Sequence, residues 1–259
     1  MIDWQASFSI LAKEGVAVYI LRGVAFSLVI SVCAVVVSLL IGSVLALLRN
    51  YCSGPSRVFK WIATAYIELF RNTPLLFWIF ICLVFCPVPG FFTHRMLGLT
   101  SVEVRVLFRA FVALVLFESS IMAEIIRGGL NSVAAGQFEA GHSQGFSTVQ
   151  ILRYIVLPQA YRAVVPTLLS QVITTIKDSS YLANVAVIEL MSRVRQILAT
   201  SNMYNGAGAQ LVSAVFVLFG IAFIIYFVIN FALSCAVRSL QHPRPRRTAR
   251  PAQTAQTAQ

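Results

Sequence analysis

The chain has 259 residues, of which 58% are hydrophobic and only 11% charged, with a formal net charge of +11. A soluble domain of this size carries about 25% charged residues to make a polar surface, so an ordinary soluble enzyme or binding domain is excluded. The basic excess suggests nucleic acid, but the basic residues flank apolar stretches and no soluble domain presents them. Nucleic acid is therefore not expected as a partner.

The first 22 residues hold Asp3, Lys13, Glu14 and Arg22. The apolar run behind them, Gly23 to Leu48, exceeds a signal-peptide core and predicts a retained first span, since one crossing takes roughly 20 apolar residues. A second apolar stretch covers about Ile62 to Cys86. Counted from Val58 to Phe92 it is too long for one straight helix, and Thr73-Pro74 is the expected break. Further spans are expected over Val106 to Ile126, Ala160 to Val187 and Ala209 to Val237. Strict alternation, the mark of an outer-membrane barrel, is missing from all five. The expected class is an all-α membrane protein of about five transmembrane helices. No internal repeat is visible, unlike many secondary transporters.

Five spans put the termini on opposite sides, and the positive-inside rule orients them. Arg49 to Lys60, Arg127 to Arg162 and the tail from Arg238 carry eleven basic residues between them. The opposite side carries six: Lys13, Arg22, Arg95, Arg105, Arg193 and Arg195. The amino terminus is expected outside and the carboxyl terminus inside. The domains then read as an external segment 1–22, a transmembrane domain 23–237 and a basic tail 238–259. The tail is low in complexity, so disorder is expected, and its arginines are placed to touch anionic membrane lipid. Cys33, Cys52, Cys82, Cys86 and Cys235 lack metal-ligand spacing, as do His94, His142 and His242.

The longest inside segment, within 128–158, predicts two short helices meeting at Gly145, which suits a left-handed stop. Ser147 and Gln150 fit a capping box, with Phe146 and Ile151 as its hydrophobic staple. Pro158 is expected to end or bend the second helix. In the first, Glu139 stands beside Ala140 and Gly141, a face with little side-chain bulk.

Ionisable groups inside a membrane cost about 2.5–3.5 kcal/mol each and need a partner or a function. Glu118 lies midway between Arg109 and Arg127, and Lys177 midway between Arg162 and Arg193, so both are expected near mid-bilayer. Asp178 and Ser179 adjoin Lys177. Together with Arg71 these residues have the charges to line a substrate route, or they are structural pairs between helices. Glu68 with Arg71, and Glu124 with Arg127, have the three-residue spacing of pairs on one helix face.

The loop resembles the signature of bacterial ATP-binding-cassette importer permeases: Glu-Ala-Ala, three residues, Gly, nine residues, then Ile-x-Leu-Pro. Glu139, Ala140, Gly145, Ile155, Leu157 and Pro158 fall on it, with Gly141 in place of the usual Ala. Glu68-Leu-Phe-Arg-Asn-Thr-Pro-Leu75, Glu124-Ile-Ile-Arg-Gly-Gly-Leu130 and Lys177-Asp-Ser-Ser180 resemble polar amino-acid permeases, nearest to those for glutamate and aspartate. The resemblance implies the type I importer permease fold and a non-catalytic subunit of the bacterial inner membrane. It also implies a loop that docks on an ATPase through Glu139, Ala140, Gly141, Gly145, Ile155, Leu157 and Pro158. The implied partners are a second permease, two ATPase subunits and a periplasmic amino-acid-binding protein. No cofactor is implied on this chain, with ATP and Mg on the ATPase. No lysine follows the glycine-rich pattern of a phosphate-binding loop, which fits that division. The alternative is an ion-coupled secondary transporter working without an ATPase.

Overall fold

In the computed structural model, residues 3–96, 98–205 and 212–241 are described. Their regular structure is helical apart from one isolated bridge between Met96 and Leu99. A short helix α1 (Trp4–Ser9) precedes α2 (Val16–Tyr51), α3 (Arg57–Arg71), α4 (Leu75–Phe85) and α5 (Ser101–Ser132). After these come α6 (Gly136–Ser143), α7 (Thr148–Ile151), α8 (Leu157–Asp178), α9 (Leu190–Asn205) and α10 (Val212–Gln241). Thr100 and Glu103 close a reciprocal capping box at the head of α5, which fixes where that helix starts. Pro74 stands immediately before α4, so the second apolar stretch breaks where its proline predicts.

Between lipid-embedded helices close packing drives association, because lipid tails are as apolar as leucine. The α2 sequence supplies the surface for it. Ser27, Ser31, Ala34, Ser38, Gly42 and Ala46 recur every three or four residues and are all buried. At Gly42 the backbones come so near that an added Cβ would lie 2.9 Å from Ala123 N and from Ser119 O. Ser38 Oγ donates to the Val115 carbonyl at 3.2 Å.

The order of contacts along this seam gives its direction. Phe26 and Ile30 share a cleft with Leu107 and Phe111, Ser38 meets Val115, Gly42 meets Ser119 and Met122, and Ala46 clusters with Ile126. Both numbers rise together, so α2 and α5 run parallel and the chain must travel back between them. The return is made by α4, whose Leu75, Ile79 and Cys82 pack among Ala110, Ala113 and Leu114. Arg109 Nε donates to the Cys86 carbonyl at 2.9 Å at its end. A second return is made by α8, with Ala160 against Gly129 and Gln171 bonded to Glu118. Helix α10 starts beside α1, with the Ser7 and Ser213 hydroxyls 2.7 Å apart.

Val16–Tyr51, Ser101–Ser132 and Val212–Ser239 are each long and apolar enough to cross a membrane, and the bent pair Gly54–Arg71 and Leu75–Phe85 is a fourth candidate. The fourth expected span, Ala160 to Val187, is divided between α8 and a 3-10 turn over Ser179–Val185; α8 carries most of it. Its 22 residues give about 33 Å at 1.5 Å each, enough for a core of about 30 Å, but Arg162, Lys177 and Asp178 dilute its hydropathy. Three sequence expectations need adjustment. Val16 to Arg22 already belong to α2, and Arg238 to Gln241 belong to α10, with Arg238 bonded to Ser234 Oγ at 3.2 Å. Residues 242–259 of the expected tail lie outside the described residues. Pro158 neither ends nor breaks the helical path: it sits in the first turn of α8, behind a π-helical turn over Leu152–Val156. The wider turn accommodates a ring that would strike the carbonyl one regular turn back.

Candidate coupling loop and intramembrane charges

Helices α6 and α7 form the predicted pair. Gly145 has φ of +79° and turns the chain between them. Ser147 and Gln150 cap α7 reciprocally. Ile151 and Val156 are fully buried against Ala46, Ile126, Leu130 and Ala160. Each contributes roughly 1.5–3 kcal/mol by leaving water, so the loop is clamped to the ends of α2 and α5. Tyr51 and Phe138 add an aromatic contact at 6.0 Å, and Gln159 Nε2 donates to Gln137 Oε1 at 3.3 Å. We call this end of the bundle the loop end.

The loop's small residues divide by role. Gly141 is buried under Ile151, and a Cβ there would come within 2.6 Å of Ile151 Cγ1. The glycine at a position where the signature has alanine therefore answers to this isoleucine. Glu139, Ala140, Gly145 and Pro158 are exposed, while Ile155 and Leu157 are half-buried and join the cluster. Phe146, Val149 and Tyr154 lie exposed beside them, at 42%, 71% and 65%. These three extend the outward face of the loop with apolar surface. Sequence reasoning assigned Phe146 to a staple and passed over the other two.

The intramembrane charges fall into separate places. Glu118 is fully buried between α5 and α8, and its Oε2 accepts from Gln171 Nε2 at 2.9 Å. Its Oε1 has no donor among the described residues, and Asp178 and Thr175 face the same carboxyl. Lys177 points elsewhere: it is exposed and lines a cleft of about 420 Å³ with Phe223, Tyr226, Phe227, Asn230 and Phe231 of α10. Ser179 is buried, with its hydroxyl given to the Ile176 carbonyl at 2.8 Å. Glu118 and Asp178 are thus brought together, and Lys177 is not with them.

Arg71 belongs to a third group, at the loop end. Glu124 accepts from Arg49 at 2.8 Å and Arg127 at 2.9 Å and pairs with Arg71 at 3.2 Å, while Glu68 pairs with Arg49 at 2.8 Å. The Glu124–Arg127 pair has the spacing the sequence suggested. Glu68 pairs across to α2 instead of along α3, because Arg49 lies between the two carboxylates. One buried carboxylate was missed altogether. Glu189 takes hydrogen bonds from Ser27 Oγ (3.2 Å), Tyr226 Oη (3.0 Å) and Ser192 N (2.7 Å), capping α9 and tying α2 to α10. Its sequence signal was an isolated acid inside the apolar run Val185 to Met191.

A family model described as "binding-protein-dependent transport system inner membrane component" matches residues 38–241. The chain belongs to this family. The glutamate/aspartate import permease protein GltK of Escherichia coli O157:H7 is 36% identical over 234 residues, covering 89% of this chain and 94% of the relative. The probable glutamine ABC transporter permease protein GlnP of Bacillus subtilis is 34% identical over 219 residues, covering 85% and 90%. The fold matches a crystal structure of an amino acid ABC transporter with histidines at a TM-score of 0.68 and 22% identity, over 93% of this chain and 98% of that one. It also matches the inward-facing MetNI methionine ABC transporter at 0.61 and 19%, over 89% and 100%.

This permease is therefore a non-catalytic, multi-pass inner-membrane subunit of an amino-acid ABC importer. That membership sets aside the ion-coupled alternative.

The permease's ion cluster yields a ranked prediction. The Glu124 side chain is 15% exposed and serves three guanidinium groups, whereas Glu68 is 45% exposed. Stripping one partner from a fully buried pair costs about 3–5 kcal/mol and exposed pairs are worth about 0–1. Glu124→Gln should thus destabilise by about 1–3 kcal/mol, clearly more than Glu68→Gln. Thermal unfolding of both variants in detergent checks this, and equal losses would contradict it.

Proposed function

We propose that this permease imports acidic amino acids, glutamate or aspartate, with its loop end in the cytoplasm and docked on an ATPase subunit. A second permease, identical or homologous, completes the pathway, two ATPases hold ATP and Mg, and a periplasmic binding protein delivers substrate. The observation that carries the reading is the loop itself. A carboxylate, an alanine and three exposed apolar side chains stand on a hairpin that hydrophobic burial fixes to α2 and α5. Such a surface suits a protein partner, and its clamp suits the transmission of movement.

Sidedness rests on charge. Three parallel passes by α2, α5 and α10, with returns by α4 and α8, support an arrangement with the termini on opposite sides, and the more basic end of the sequence pattern is the loop end. With the native cysteines replaced, His142→Cys should react with a membrane-impermeant thiol reagent only from the cytoplasm, and His94→Cys only from outside. Reaction of His142→Cys from outside would reverse the orientation.

The acidic substrate has two supports. One is the 36% identity over 234 residues to a glutamate/aspartate permease, although glutamine relatives stand at 34% over 219 residues and 36% over 165. The other is Lys177, a cation opening on an aromatic cleft where a side-chain carboxylate finds a counter-charge. The Glu118–Asp178 pair, with an unbonded oxygen, suits an ammonium group. In the purified complex with its partners, glutamate or aspartate should stimulate ATP hydrolysis more than glutamine. Lys177→Met should erase that preference, and Glu139→Ala should uncouple hydrolysis from transport while the chain stays inserted. Stimulation by glutamine alone would overturn the substrate, and full uptake by Glu139→Ala would overturn the loop's role.

A further inference from the structure

Helix α3 carries three stripes of side chains, each at helical spacing. Ala63, Ile67 and Phe70 are buried. Arg57, Lys60, Thr64, Glu68 and Arg71 follow one another every three or four residues along a polar edge. A third stripe is apolar and open: Val58 (61% exposed), Ile62 (60%), Ala65 and Leu69 (51%), with Trp61 (63%) between it and the polar edge. At 100° per residue the polar stripe centres opposite the combined apolar surface. The helix is therefore apolar on its packed flank, its open flank and the face between them.

The direction of α3 explains that pattern. It is bent by 110° from α4, which leaves it about 20° from perpendicular to a helix that packs antiparallel along the spanning α5. A helix so placed runs nearly in the membrane plane. Its carboxyl end is anchored at the loop end, where Arg71 meets Glu124 and Glu68 meets Arg49. There the polar stripe meets water and headgroups, and the open apolar stripe meets acyl chains.

We propose that α3 is an interfacial helix that seats on anionic phospholipid in the leaflet at the loop end. The chemistry of its border selects this occupant. The Arg57 guanidinium lies 5.9 Å from the Trp61 ring, so an amphipathic aromatic stands where headgroups begin, beside cations for phosphate. Arg57 and Lys60 are exposed on the polar edge, where their charges meet the headgroup layer. A protein partner on this face would have to cover the apolar stripe and neutralise the basic edge, and a bilayer containing anionic lipid already does both.

The test uses the full-length chain with Trp4→Phe and Trp78→Phe, so that Trp61 is its one tryptophan. It is reconstituted into phosphatidylcholine vesicles containing phosphatidylglycerol, with bromines placed shallow or deep on the acyl chains of either lipid. Shallow bromines should quench Trp61 most, and brominated phosphatidylglycerol should quench more than brominated phosphatidylcholine. Arg57→Gln with Lys60→Gln should cut that preference, by roughly fivefold for each basic residue. Maximal quenching by deep bromines would make α3 a leg of a spanning helix, and no quenching at any depth would mean that protein covers it. Either result overturns the proposal, as does equal quenching by the two lipids. Because Trp78→Phe removes a hydrogen bond to Thr73, a second measurement keeps all three tryptophans. Phosphatidylglycerol should raise the thermal midpoint of the unaltered chain above its value in phosphatidylcholine, and the Arg57→Gln, Lys60→Gln chain should lose that rise. An equal rise in both chains contradicts the proposal.

Discussion

The distance between α2 and α5 is set by Gly42, where a methyl group would press on the backbone of the facing helix. Around it, Ala34, Ser38 and Ala46 keep the approach close for about three turns of α2. Since no hydrophobic force acts between helices in lipid, this contact surface has to supply the cohesion itself. It also orients the chain. Two parallel helices joined by the 49 residues 52–100 require a return pass, so α4 is pulled back along α5 and α3 is left lying across the loop end.

The same seam brings the functional parts into register. The loop rests on the ends of α2 and α5, the ion cluster joins α2, α3 and α5 just beside it, and Glu118 sits on α5 six residues from Glu124. At 1.5 Å per residue that separation is about 9 Å. On the proposed reading, a push on the loop reaches the buried carboxyl pair through α5 and through α8, which continues from the loop without a break. Glu189 ties α2 to α9 and α10 with hydrogen bonds and, among the described residues, no cation.

Much of this was legible in the sequence because it depends on local chemistry. The apolar runs located α2, α5 and α10, Pro74 marked the break before α4, and Gly145 with Ser147 and Gln150 laid out the α6–α7 hairpin. Depth counting from flanking arginines brought Glu118 and Lys177 to similar levels, but depth says nothing about which way a side chain faces. Glu118 turns toward α8 and Lys177 toward α10, and only packing decides that. Glu68 was drawn to Arg49 by a neighbour distant in sequence, so a three-residue spacing could not reveal the pair. Gly141 read only as a small residue in place of the usual Ala, because nothing local shows that Ile151 occupies the space a side chain would need. Helix α3 was counted into a span because its apolar content is high, although its three stripes were present in the sequence.

The parallel seam is tested most directly by oxidative cross-linking in the native membrane, in a chain otherwise free of cysteine. Ala46→Cys paired with Ile126→Cys should form an intramolecular disulfide, because both residues belong to the cluster under the loop. Ala46→Cys paired with Leu107→Cys should not, since Leu107 packs near the opposite end of the seam with Ile30. A cross-link from residue 46 to residue 107, without one to 126, would mean that α2 and α5 run antiparallel and would contradict the arrangement described.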